Sequence, residues 1–199
     1  MKAPSLAQEG RARFVVTMPP TPSRVAAVLD STPAAKLLAM TETVDAFRHL
    51  ARKAQRRLVV MTPYIDAVGC TWVLDMFANT SARERVLILQ SADQLKKFGV
   101  DEDALRSSAT QILIYGGGGT DETFHSKIVL ADGSDAYVGS ANLLSRSKMA
   151  NLECGLIVEG QVVSSIAILV EAILETFTVI GGADATAANF ERSLTGSKA

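Results

Sequence analysis

A chain of 199 residues, 48% of them hydrophobic, has room for one medium domain with a substantial core, and this composition excludes a disordered chain. Twenty basic residues against 21 acidic ones leave a net charge of −1, which excludes a global attraction to polyanions, so any nucleic-acid contact must be local. Cys70 and Cys154 stand alone, and with only His49 and His125 in the chain no clustered set of metal ligands is spelled out.

The opening MKAPSLAQEGRARF lacks the apolar segment of a secretory signal, which predicts cytoplasmic residence with reduced thiols. Residues 1–22 are rich in proline (Pro4, Pro19, Pro20, Pro22) and read as a loosely held segment with a short edge strand at 13–18. From Thr41 the spacing of Val44, Phe47, Leu50, Ala51 and Ala54 fits one helix face, with Thr41 or Thr43 as N-cap. The basic run Arg48, Arg52, Lys53, Arg56 and Arg57 reads as a solvated helix face that could also track a phosphate backbone. Apolar runs at 58–61, 85–90 and 111–115 read as buried strands, with helical stretches at 66–78 and 91–105 between them. Strands alternating with helices predict parallel pairing through right-handed crossovers. The glycines at 116–119 are followed by no Gly-Lys-Ser/Thr, so they read as a flexible loop bordering a site rather than as a phosphate loop.

The texture changes at Phe124. FHSKIVLADGSDAYVGSAN, residues 124–142, reads as strands at 124–131 and 136–139 around the turn Asp132-Gly133-Ser134, with a third strand at 152–159. Pairing and burial would need only apolar and neutral polar residues. Instead His125, Lys127, Asp132, Gly139, Ser140 and Asn142 spell H-x-K-x4-D-x6-G-S-x-N. Residues two apart on a strand share a face, so His125 and Lys127 project together, and Ser140 and Asn142 can return beside them. That set suits a phosphodiester: lysine neutralises nonbridging oxygens, serine and asparagine donate to them, and a neutral imidazole attacks phosphorus. The chemistry requires no metal and no cofactor. Asp132 reads mainly as architecture, an Asx side chain bonding its own backbone at the turn. Arg146 and Lys148, a few residues on, are placed to grip substrate beyond the scissile phosphate. The apolar run 162–180 is interrupted by Ser164, Ser165, Glu171 and Glu175, so it reads as an amphipathic helix over 161–178 and not as a membrane span. The tail from Gly181, rich in Gly, Ala, Thr and Ser, reads as mobile.

The six motif positions resemble the HKD motif of the phospholipase D superfamily, and the α/β stretch before them and the strand after them fit the same family over residues 41–180. The resemblance divides the chain into a 1–40 N-terminal extension, a 41–180 phospholipase D-like catalytic domain and a 181–199 flexible tail. It implies an α/β fold, a mixed sheet flanked by helices on both faces. It also implies a ping-pong reaction, in which one histidine attacks phosphorus to give a phosphohistidine. A second histidine protonates the leaving group and then activates water or another alcohol. In this family an acidic residue downstream orients the histidine, and Glu153 in NLECGLIV stands at that place. Two motifs are needed and this chain has one, since His49 in HLARK lacks the lysine two residues on. A homodimer is therefore expected, the second copy supplying the other histidine across a two-fold axis, an arrangement that resembles single-motif, Nuc-like bacterial endonucleases. The function implied is a metal-independent nuclease on DNA or RNA. A phospholipase or phosphatidyl transferase using helix 162–180 at a bilayer, or a catalytically silent phosphodiester-binding subunit, are the alternatives. The compact single-motif layout also resembles phospholipase D-like proteins of bacterial anti-phage systems, such as the DrmC-type component of DISARM.

Overall fold

The computed structural model describes residues 10–20, 22–32, 41–116 and 122–182. In chain order these form β1 (Arg11–Thr17), α1 (Arg24–Ser31), α2 (Thr43–Lys53), β2 (Arg57–Met61), α3 (Ala67–Ala78), β3 (Glu84–Leu89) and, after a single 3-10 turn at Ala92–Gln94, α4 (Glu102–Ser108). They continue with β4 (Gln111–Ile114), β5 (Lys127–Ala131), β6 (Asp135–Gly139), α5 (Ser145–Met149), β7 (Glu153–Glu159), α6 (Val163–Thr176) and β8 (Thr178–Gly181).

The strands make one mixed sheet in the order β1-β7-β6-β5-β2-β3-β4-β8. β2, β3 and β4 are parallel, as the strand and helix alternation predicts. β5, β6, β7 and β1 form an antiparallel meander. The two halves join where β5 runs antiparallel to β2, with Met61 opposite Ile128 and Leu58 opposite Ala131. The start of β5 therefore lies at the carboxyl ends of the parallel strands, the edge on which open α/β sheets hold ligands.

Side chains alternate along a strand, so strands covered on both faces must be apolar throughout. Leu58 and Val60 of β2 enter the layer that holds Phe47 and Leu50 of α2 and Trp72, Val73 and Met76 of α3. Val59 and Met61 enter the opposite layer, against Val163, Val170 and Ile173 of α6. The fold is thus a mixed α/β sheet with helices on both faces, as expected. Each fully buried aliphatic side chain contributes about 1.5–3 kcal/mol. The first layer is further ordered by edge-to-face contacts of Phe47 with Trp72 and with Tyr137, at centroid separations of 6.0 and 5.0 Å. α1 buries none of its residues and is capped at Ser23, whose hydroxyl accepts from the Ala26 amide.

Several local expectations are corrected. Neither Thr41 nor Thr43 caps α2: the N-cap is Glu42, without a side-chain bond, because the Thr43 hydroxyl is buried and accepts from Thr17 of β1 at 2.7 Å. The helix read over 161–178 ends at Thr176, and the β-branched Thr178, Val179 and Ile180 pair as β8 beside β4. Much of the basic run is engaged by acids within the fold: Arg48 pairs with Asp75 at 3.0 Å, Lys53 with Asp135, and Arg57 with Glu84 and Glu171. Glycines 117–119 and the tail from 183 lie outside the described residues.

Asp132 does not bond its own backbone. Its carboxylate accepts from the amides of Gln55, Arg56 and Arg57, each at 2.8 Å, and it adopts a left-handed φ of 55° to do so. Antiparallel pairing of β5 with β2 brings the hairpin turn against the α2–β2 connection, and the aspartate ties the two together. Burial alone would raise its pKa, but the three amides and the Arg56 charge outweigh that, and the net shift is downward. Asp132→Asn keeps a side chain suited to the left-handed backbone while removing the charge and one acceptor. It should cost about 1–2 kcal/mol in urea unfolding at neutral pH. The folded pKa is the lower one, so the wild-type advantage is complete above the unfolded carboxylate pKa of about 3.9 and disappears as pH falls through the folded value.

Candidate active site

Lys127 opens β5, opposite Gly139 of β6, which is itself opposite Gly155 of β7. These three positions form a row on the face that carries Tyr137. A Cβ on Gly139 would meet the Tyr137 hydroxyl at 2.3 Å, and one on Gly155 would meet the Tyr137 ring at 2.4 Å. The motif glycine is therefore required by packing: Tyr137, fully buried, occupies the space a side chain would take. Burial pushes the Tyr137 phenol up to about 12.

His125 precedes β5 in an extended segment that Gln90, just past β3, holds with both ends of its amide. Gln90 Oε1 accepts from the Phe124 amide at 2.8 Å, and Nε2 donates to the Glu122 carbonyl at 3.2 Å. The Phe124 ring packs on Tyr115, which stacks on Phe177 at 4.2 Å. The His125 side chain is thereby presented at the surface, with Lys127 Nζ 2.9 Å from Nδ1 and 3.2 Å from Nε2. A neutral imidazole has one unprotonated nitrogen, and the ammonium donates to that one.

Lys127 and Glu153 are each only 4% exposed. Burial pulls the Lys127 pKa down, the Glu153 charge pushes it back up, and the net shift is downward. The hydrogen bonds of Glu153 go to Ser140, whose hydroxyl donates to Oε2, and to Asn151, whose Nδ2 donates to Oε1 at 3.0 Å. The carboxylate is thus bonded to Ser140 and Asn151, while His125 is bonded to Lys127. Ser140 Oγ also accepts from the Cys154 amide at 3.1 Å, so its single proton is directed at Glu153. Asn142 lines the same depression, and its Oδ1 is buried without a hydrogen-bond partner among the described residues.

The segment after Asn142 is pinned to the carboxyl end of β2. Leu143 bridges Ile65, and Asp66 joins the two segments by accepting from the Ser145 amide at 2.7 Å while capping α3 through the Val68 and Gly69 amides. Gly69 allows this approach, since a Cβ there would lie 1.8 Å from the Leu143 carbonyl oxygen. Arg146 and Lys148 project from α5 and are exposed. His49 lies elsewhere, on α2, with Nε2 2.9 Å from Arg13 Nη2. Burial first, then the charges of Arg13 and Lys53, lower its pKa.

His125, Lys127, Ser140, Asn142 and Glu153 thus share one open depression of about 740 Å³. Sequence reasoning missed Gln90, Asn151, Tyr137 and Gly155; Gln90 and Gly155 depend on neighbours far along the chain, whereas Asn151 stands two residues from Glu153 and Tyr137 two from Gly139. The capping part of Asp66 was open to reading from its place ahead of an apolar helix.

The mixed sheet that carries this depression at its carboxyl edge has counterparts among known proteins. The family described as "Cardiolipin synthase, PLD-like domain" matches residues 47–180, a stretch containing every residue of the depression except Phe14. The chain belongs to this phospholipase D-like family. Among solved structures, NucT from Helicobacter pylori aligns with a TM-score of 0.59 at 12% identity, over 86% of this chain and 100% of that one. The phospholipase D family member Nuc from Salmonella typhimurium aligns with a TM-score of 0.55 at 9% identity, over 87% and 100%. Phosphatidylserine synthase from Haemophilus influenzae Rd KW20 aligns with a TM-score of 0.52 at 15% identity, over 90% of this chain and 42% of that one. At these identities the likeness is one of fold. No curated protein matches the sequence.

The electrostatics of the buried pair can be read directly. In nitrogen-detected NMR the Lys127 ammonium should titrate below 10.5, and lower still in Glu153→Gln, where the opposing charge is gone. A wild-type midpoint at or above 10.5 would contradict the desolvated environment described here.

Proposed function

We propose that the protein is a metal-independent nuclease that works through a phosphohistidine at an active site shared by two copies of the chain. The observation that carries this reading is one exposed imidazole, set on a buried ammonium, in a depression that opens onto an uncovered apolar strip of the sheet. Val138 of β6, Leu156 of β7 and Phe14 of β1 are cross-strand neighbours in one row and are 38%, 43% and 46% exposed. Ile128, next in that row, is covered by the α6 layer. An apolar strip beside a half-complete site supports a second copy docking there.

In this reading the Lys127 ammonium turns from the His125 ring to the phosphate oxygens, and the unprotonated ring nitrogen it frees attacks phosphorus. A P–N bond forms and the P–O bond to the leaving alcohol breaks, that oxygen taking a proton from the partner's imidazolium. Water then attacks phosphorus, the P–N bond breaks, and the partner imidazole, now neutral, takes the water proton. Lys127 and Asn142 face the phosphate oxygens, while Glu153 keeps Ser140 in place and supports the Lys127 charge. Exposed Arg146 and Lys148 contact the polyanion beyond the scissile bond. Among the described residues no group of three or more His, Cys, Asp or Glu could hold a metal ion, and the reaction as written uses none. The setting proposed for this nuclease is anti-phage defence, on the strength of the compact single-motif layout.

The family's description favours a second reading, transfer or hydrolysis at a phospholipid, which contains the same diester. Among the described residues no helix is long and apolar enough to cross a membrane, so lipid would have to be met at a surface. Purified protein should cleave DNA or RNA in excess EDTA, and His125→Ala should lower the rate on the order of a thousandfold or more. Headgroup release from vesicles without cleavage of nucleic acid would select the lipid reading, and tight nucleic-acid binding without turnover would select a silent binding subunit. Leu156→Asp and Val138→Asp should each yield monomers by sedimentation and lose activity together with the dimer. A monomeric wild type at full activity would overturn the shared site.

A further inference from the structure

We infer that Tyr64, Lys97 and Phe98 form a stacking subsite for the unpaired bases of a single-stranded nucleic acid, an inference that rests on the nuclease reading above. Phe98 is fully exposed, at 103% of its reference surface, and Tyr64 is 40% exposed. They stand on the connections that leave the carboxyl ends of the neighbouring parallel strands β2 and β3, the edge at which His125 also sits. Lys97 Nζ lies 5.6 Å from the centroid of the Tyr64 ring, so a cation already sits over one aromatic face.

The aromatic rings stand on a built surface. Gln94 Oε1 accepts from the Ile65 amide at 3.4 Å, which ties the two connections together, and Leu95 is buried. The Val100 amide closes a turn on the Lys97 carbonyl at 3.0 Å. Gly99 takes a φ of +78° where a Cβ would lie 2.8 Å from that of Ala67, so the turn packs against α3. The backbone on either side of Phe98 is therefore anchored while its ring is held entirely in solvent, where it buries nothing within this chain. Tyr64 in turn is fixed to the catalytic segment: the Thr62 hydroxyl donates to the Tyr64 carbonyl at 2.9 Å and accepts from the amide of Leu143, next to Asn142.

A phenyl ring held in water gains nothing by itself, and a lone one is unremarked on most surfaces. Two exposed rings, one of them under a lysine, on the sheet edge that carries the proposed site, supply what an unpaired strand needs, faces for its bases and a cation for its backbone. A duplex hides its base faces and cannot use the rings in this way. The connection carries exposed Asp93 and Asp101 against exposed Lys96 and Lys97, so its charges balance and the cation that matters is the local one, Lys97 over the Tyr64 ring.

The test uses the full chain carrying His125→Asn to silence turnover, with fluorescence anisotropy on a labelled single-stranded oligonucleotide and on its duplex. Phe98→Ala should weaken single-strand binding roughly tenfold, the size of one lost stack, with a smaller effect on the duplex. Phe98→Trp should retain affinity and Phe98→Leu should not. If Phe98→Ala binds as tightly as its parent, the subsite is refuted while the nuclease reading stands. Equal affinity of the Leu and Trp variants would refute stacking in favour of a plain apolar contact. A parent that binds no nucleic acid, together with a wild type that cleaves none, would remove the nuclease reading and this inference with it. Loss of flotation with phosphatidylglycerol vesicles in Phe98→Ala, with oligonucleotide binding unchanged, would assign the rings to lipid instead.

Discussion

A lysine and a glutamate, both almost wholly removed from water, sit two strands apart at one end of the sheet, and the glutamate charge offsets part of what burial costs the lysine. Burial disfavours the ammonium, and a carboxylate charge in the same region favours it. The strand between them contributes Gly139, which adds no side chain to the gap, and the buried Tyr137 fills the space above Gly139 and Gly155. Glu153 completes its shell with Ser140 and Asn151, so the carboxylate has a hydroxyl and an amide as well as a distant cation. His125 then rests on Lys127 at the mouth of this arrangement, on a segment that Gln90 anchors.

The seam between β2 and β5 explains why the site lies where it does. A parallel βαβ half ends its strands at one edge, and the antiparallel meander begins its first strand at that same edge. The connections after β2 and β3, the segment before β5 and the one after β6 therefore converge without any long excursion. Three polar clamps fix them: Gln90 on the approach to His125, Asp66 on the segment after Asn142, and Asp132 at the far end of the hairpin. Each gives backbone amides of a connecting segment a side-chain acceptor.

On one face α6 shares its layer with residues of β2, β3, β4 and β5 and reaches Ala136 of β6 and Val158 of β7, while Val138, Leu156 and Phe14 stay exposed. The apolar row Val138, Leu156 and Phe14 is what that coverage leaves open. It borders the depression, so the docking surface and the shared active site proposed above are parts of one region.

Much of this was legible in the sequence. Period-two alternation does not occur in 58–61, 85–89 or 111–114, and unbroken apolar runs of that length mean strands covered on both faces. The H-x-K and G-S-x-N spacings placed imidazole, ammonium, hydroxyl and amide together because strand geometry is local and regular. The sequence by itself therefore determined the fold class and the polar set His125, Lys127, Ser140 and Asn142, with the family likeness adding Glu153, while Asn151, Gly155 and the apolar lining of the depression came from the structure. Only the tertiary structure decided which partner each polar group takes: Asp132 with amides more than 70 residues earlier, Glu153 with Ser140 and Asn151, Thr43 with Thr17. It also decided that residues 178–181 leave the helix to pair with β4. Periodicity reports which face of an element meets the core, whereas hydrogen-bond partners follow from how elements distant in the chain are brought side by side.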